Sequence, residues 1–185
     1  MRLWAETAIG RRQLARTLRR LTADGYAIRD ILVDGDSVQH SDRLIVGPSG
    51  VFLVGFRTLP GNIWRSDRAE TPADVLAAHA GTTHRLADVV SATLREELDR
   101  LHVRVHPVLT VIGAEQQPGA LIAGVPLLGP IGLADHVTAA RPMLSAMQIA
   151  SLVDRVDDWL ALRSVTGLHA RAGRRTGSRG RGGAL

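Results

Sequence analysis

Residues 41–57 read SDRLIVGPSGVFLVGFR, and no other stretch limits the possible folds so tightly. DRLIVG (42–47) and VFLVGFR (51–57) are short runs rich in Leu, Ile, Val and Phe, and Gly47-Pro48-Ser49-Gly50 between them is turn chemistry. The two runs therefore fold back as neighbouring strands. The second is apolar on both faces until its end, so it belongs at the centre of a sheet. A centre buried on both sides needs helices on both sides.

The flanking sequence supplies that cover. Leu14, Leu18 and Leu21 recur at i, i+4 and i+7 and predict an amphipathic helix that Asp24-Gly25 ends, with Arg12, Arg16, Arg19 and Arg20 spread over its other faces. YAIRDILV (26–33) reads as a strand and DGDS (34–37) as a turn, and Leu59-Pro60-Gly61-Asn62 turns the chain before a short strand at Ile63-Trp64. A helical region opens at Thr71-Pro72-Ala73-Asp74, has a candidate break at Gly81, and runs to about Leu101 with Val89, Leu94, Leu98 and Leu101 inward. VRVHPVLTVI (103–112) returns as a strand, followed by short apolar pieces at 120–128 and a short helix over 131–139. The last helix, 145–163, places Ile149, Leu152, Val153, Val156, Trp159 and Leu160 on one face. The expected fold class is α/β, a mixed central sheet flanked by helices, in one domain spanning 1–163. The chain of 185 residues is long enough for one ordinary core.

Composition narrows the chemistry. The absence of cysteine removes thiol catalysis, disulfides and Cys-ligated zinc, and the absence of lysine removes any mechanism that needs a lysine. The formal net charge is +5, but residues 164–185 hold Arg171, Arg174, Arg175, Arg179 and Arg181 with no acid, so the remainder is neutral. That Arg/Gly-rich tail buries too little apolar surface to order itself. Its spacing suits charge-driven contact with DNA or RNA, without the interleaved aromatics that would add stacking.

The N-terminal MRLWAETAIGRRQLARTLRRL carries charge throughout, unlike a signal peptide. The longest uncharged stretch, Gln116–Ala134, contains three prolines and four glycines, which disfavour a spanning helix. No membrane association and a cytoplasmic location are expected. The histidines (His40, His79, His84, His102, His106, His136 and His169) form no HxH or HExxH, so no zinc site is expected. GxxxxGK[ST], GxGxxG and GxSxG are absent too. Trp4, Trp64 and Trp159 read as packing residues.

Metal-dependent phosphodiester cleavage needs carboxylates to hold a cation, and side chains two apart on a strand share a face on which they can converge. GRRQLARTLRRL, SDRLIVGPSGVFLVGFR, HPVLTVIGA, LLGP and LSAMQIASLVDRVDDWL, in that order, resemble the nuclease-related domain (NERD) family of the PD-(D/E)XK, restriction-endonuclease-like superfamily. The resemblance covers roughly residues 8–160. It implies a restriction-endonuclease-like fold and a site built from a helix-1 glutamate, a strand-entry aspartate and an acid-x-Lys pair.

Only Asp42 survives of that set. Arg11 stands at the helix acid, Gly55 at the motif acid and Arg57 at the lysine; the Gln that members often have on the following helix has no counterpart. Gly55 has no side chain to ligate metal, and a guanidinium stays protonated and cannot act as a base. The expectation is a degenerate, catalytically inactive nuclease-related domain that binds nucleic acid or a protein, with Arg57 available for one phosphate contact, no metal and no cofactor. Two alternatives remain. One is a magnesium-dependent nuclease with a relocated site, in which Asp42 works with Asp34, Asp36 or Glu6. The other is a structural protein-interaction domain.

Overall fold

The computed structural model describes residues 2–31, 42–59, 72–113 and 119–176, with the side chains of 2–7, 72 and 163–176 outside that description. Helix α1 (Arg2–Ala23) leads to β1 (Ala27–Ile31), then β2 (Asp42–Gly47) and β3 (Gly50–Thr58). Helices α2 (Pro72–Thr93) and α3 (Arg95–Leu101) precede β4 (Val105–Ile112), and β5 (Leu121–Ile122) and β6 (Val125–Leu128) follow. Helices α4 (Pro130–Ala139) and α5 (Ala146–Thr176) close the order.

The strands form one mixed sheet in the order β1-β2-β3-β4-β6-β5. β1, β2 and β3 are antiparallel neighbours, β3 runs parallel to β4 and β4 to β6, and β5 turns back antiparallel. β3 lies in the middle, as its continuous apolar run requires, and is buried from Gly50 to Arg57.

Alternation along β3 divides the core in two. Phe52, Val54 and Phe56 face Leu21, Leu133 and Val137 of α1 and α4, with Leu14 and Leu18 packed against them. Val51 and Leu53 face Leu86, Val90, Leu94 and Leu98 of the α2–α3 segment and Leu152 and Val156 of α5. Ile149, Val153, Trp159 and Leu160 pack against that second core from α5. Arg29 of β1 fastens α5 from outside, donating from Nε and Nη2 to the two Asp157 oxygens at 2.6 and 2.9 Å. These bonds hold the Asp157 carboxyl below its ordinary range.

Three expectations need correction. Gly81 lies inside α2, and the break falls at Leu94, whose φ of −97° and ψ of 14° step off helical values. A mid-helix glycine weakens a helix by about 1 kcal/mol but does not end it. Inward positions on α2 run Leu76, Ala80, Thr83, Leu86, Ala87, Val90 and Leu94, so Val89 points outward and is exposed. Helix α5 does not stop at 163 but continues to Thr176, so residues 164–176, expected to lack order, belong to it. Ala161, Leu162, Leu168, Ala170, Arg171 and Ala172 are strong helix formers that favour this continuation. Residues 177–185, and the expected strand at Ile63-Trp64, lie outside the described residues.

The Gly-Pro-Ser-Gly turn is an anchor. The Pro48 carbonyl accepts from the N–H groups of Met143 (2.7 Å) and Leu144 (3.0 Å), ahead of α5. The Ser49 hydroxyl donates to the Val137 carbonyl of α4 and lies 2.9 Å from the Tyr26 hydroxyl. The Tyr26 ring lies flush on Gly47, where an added Cβ would fall 2.0 Å from its Cδ1. Gly47→Ala is therefore expected to destabilise the fold by about 1–3 kcal/mol through overpacking. Gly132→Ala, in α4 with open space around it, is expected to stabilise by about 0.5–1 kcal/mol. Urea midpoints of the two variants check both signs.

Candidate functional site

The register of β2 against β3 places Asp42 directly opposite Gly55. Gly55 and Arg57 share the face of β3 that looks toward α2, as their spacing dictates. The Arg57 side chain folds back across that face, and its Nη1 donates to Asp42 Oδ1 at 3.0 Å and to the Phe56 carbonyl at 2.7 Å. Both side chains are buried, at 4% and 1% exposure. The pair is a core ion pair closed within one hairpin.

Helix α2 caps it with Thr83, which is fully buried. A Cβ added at Gly55 would lie 2.5 Å from Thr83 Oγ1, 3.3 Å from Leu109 Cδ1 and 3.5 Å from Asp42 Oδ1. The volume in which a second acid would begin is thus filled by α2. Asp42 Oδ2, Arg57 Nε and Thr83 Oγ1 are all buried without a hydrogen-bond partner among the described residues. The cluster is neutral in charge yet only half satisfied, a costly state in a low-dielectric interior.

A magnesium ion would need an open octahedral shell of oxygens at about 2.0–2.1 Å, with water completing it. These residues do not fit one. Asp42 Oδ1 already has a cationic neighbour, and Gly55 supplies no side-chain oxygen and has no room to gain one.

The other expected site residues are not gathered here. Arg11 is exposed on α1, which packs on the opposite face of the sheet from α2. Gly10 beside it faces inward, against Ile112. Arg57, expected to offer a phosphate contact, is instead buried and bonded to Asp42. Asp34 and Asp36 lie outside the described residues, as does the side chain of Glu6. Arg171, Arg174 and Arg175 fall on the backbone of α5, and Arg179 and Arg181 beyond it are outside the described residues. Thr83 is the residue that sequence reasoning missed. Its signal was a polar residue at an inward position, three after Ala80 and three before Leu86.

A second cluster forms on the other face. The His106 and His136 rings flank Phe52, with centroids 5.6 and 6.3 Å from it. Burial first, and then the charge of His106, push His136 below the ordinary imidazole pKa. The neutral form is the one the fold accepts. No helix among the described residues is long and apolar enough to cross a membrane.

By its fold the chain is an α/β domain built on a mixed six-stranded sheet. No family model, curated protein or solved structure matches it.

Two outcomes are expected. Arg57→Ala, which strands a buried carboxylate, lowers stability by about 3–5 kcal/mol, whereas Asp42→Leu with Arg57→Met is near neutral or stabilising. Urea unfolding of the two variants compares them directly. For His136, a depressed folded-state pKa means stability that is present above the unfolded value of about 6.5 and is lost as pH falls through the lower folded value. Thermal melts between neutral and mildly acid pH are expected to show this loss in the parent protein and to show less of it in His136→Gln.

Proposed function

We propose that the chain is a catalytically inert, nuclease-related domain that works by binding nucleic acid. The observation that supports inertness most directly is the Asp42–Arg57 pair. The one carboxylate that matches the nuclease pattern is neutralised by a guanidinium 3.0 Å away and buried with it. Thr83 fills the space from which the next acid would project. A guanidinium in that position supplies neither a general base nor a substitute metal. A restriction-endonuclease-like ancestry belongs to this reading on the strength of the resemblance in residues 8–160, and a cytoplasmic setting goes with it.

On this reading, recognition is electrostatic and independent of sequence. Arg171, Arg174, Arg175, Arg179 and Arg181 supply five positive charges with no acid among them. Each phosphate neutralised on duplex DNA contributes about −0.9 to the slope of log K against log salt, so the tail alone gives at most about −4.5.

Purified protein incubated with plasmid and single-stranded substrates in magnesium or manganese is expected to leave both uncut. Metal-dependent cutting that disappears in Asp42→Ala would show a working site and overturn the reading.

A further inference from the structure

A neutral count over the folded part conceals how its charges are distributed. Most of the acids with described partners are matched to arginines away from α1. Asp42 pairs with Arg57, Asp30 with Arg43, Asp157 with Arg29 and Glu97 with Arg155. Helix α1 is left with an excess of arginine.

The inward side of α1 is fully committed. Leu21 is buried, Leu14 and Leu18 pack with it, and Gly10 lies against Ile112. The Thr17 hydroxyl donates to the Pro130 carbonyl at 2.8 Å. On the opposite side, Arg12, Arg16 and Arg19 stand at i, i+4 and i+7, all exposed and none in an ion pair among the described residues. They form a single stripe about 10 Å long. Arg20 flanks the stripe and lies at the outer limit of ion pairing, 3.8 Å from Asp24 and 3.9 Å from Asp135. Next to it, a depression of about 310 Å³ is lined by Gln13, Arg16, Thr17, Arg20, Ile131 and Ala134.

Like charges four apart on a helix weaken it, and nothing described offsets the repulsion within this stripe. Its field is complementary to a polyanion. We infer that the outer face of α1, through Arg12, Arg16 and Arg19 with Arg20 beside them, is a docking surface for the phosphate backbone of nucleic acid. This rests on the proposed function and adds a contact on the folded domain to that of the tail. A lipid surface fits less well. A helix lying on a membrane turns its apolar face to the lipid, and the apolar face of α1 is buried against α4 and the sheet, with Ile9 and Ile131 the large apolar side chains exposed nearby among the described residues.

The test uses the full chain and a short DNA duplex, with binding followed by fluorescence anisotropy between about 50 and 200 mM salt. Three proteins are compared: the parent, Arg12→Gln/Arg16→Gln/Arg19→Gln, and a variant with all five tail arginines changed to Gln. Glutamine keeps helix propensity close to that of arginine, and circular dichroism confirms the fold. Loss of three phosphate contacts is expected to make the slope shallower by about 2.7 in the α1 variant. Affinity at low salt falls with it.

An α1 variant that binds like the parent, with the slope unchanged, overturns this inference and leaves the proposed function standing. No binding by the parent at low salt overturns both. Binding to phosphatidylserine vesicles that depends on the α1 arginines, with duplex binding that does not, assigns the face to lipid and also overturns the inference.

Discussion

A single ion pair in the middle of the sheet conditions its surroundings. Asp42 and Arg57 are both removed from water, and an ion in such a place costs several kcal/mol in lost hydration unless a partner offsets it. Each is thus tolerated only because of the other. Their approach requires a residue without a side chain at Gly55, since any Cβ there would strike Thr83. With that space free, α2 comes close enough to exclude water from the pair. Gly55 and Arg57 are then explicable as parts of one packing solution, in which an internal cation takes the place beside Asp42. Asp42 Oδ2, Arg57 Nε and Thr83 Oγ1, unpaired among the described residues, record an imperfect solution.

The architecture was largely open to inspection in the sequence, because hydrophobic period carries it. The continuous apolar run of 51–57 put β3 at the centre, and the three leucines of α1 marked its inward face. What period does not carry is where a helix stops when no strong breaker is present. Gly81 suggested an end that α2 does not take, and displacing the break to Leu94 moved Val89 from the inside to the outside. Similarly, 163 marks where the apolar stripe of α5 ends, which is a fact about packing. The backbone continues because helix formers follow.

The candidate site was open to inspection in its parts but not in its geometry. Arg11, Gly55 and Arg57 are visible as letters. That Arg57 turns inward to Asp42 depends on the register Asp42↔Gly55 and on the packing of α2, which the strand letters do not carry. Likewise the Gly-Pro-Ser-Gly turn is held by Tyr26, Val137, Met143 and Leu144. A motif can be conspicuous in sequence for reasons of packing alone.

The placement of the ion pair also bears on the order of folding. Asp42 and Arg57 sit on the two arms of one hairpin, joined by a tight turn. Such hairpins close in about 1–10 μs, while the chain around them is still hydrated. The parallel pairing of β3 with β4, Val51 to Val105, must wait until the whole α2–α3 crossover is gathered in. The two charges can therefore meet in water and be neutralised there, before α2 arrives to bury them. The desolvation penalty then falls on a pre-assembled pair rather than on two separate ions, and it is charged to the late step at which the helix docks.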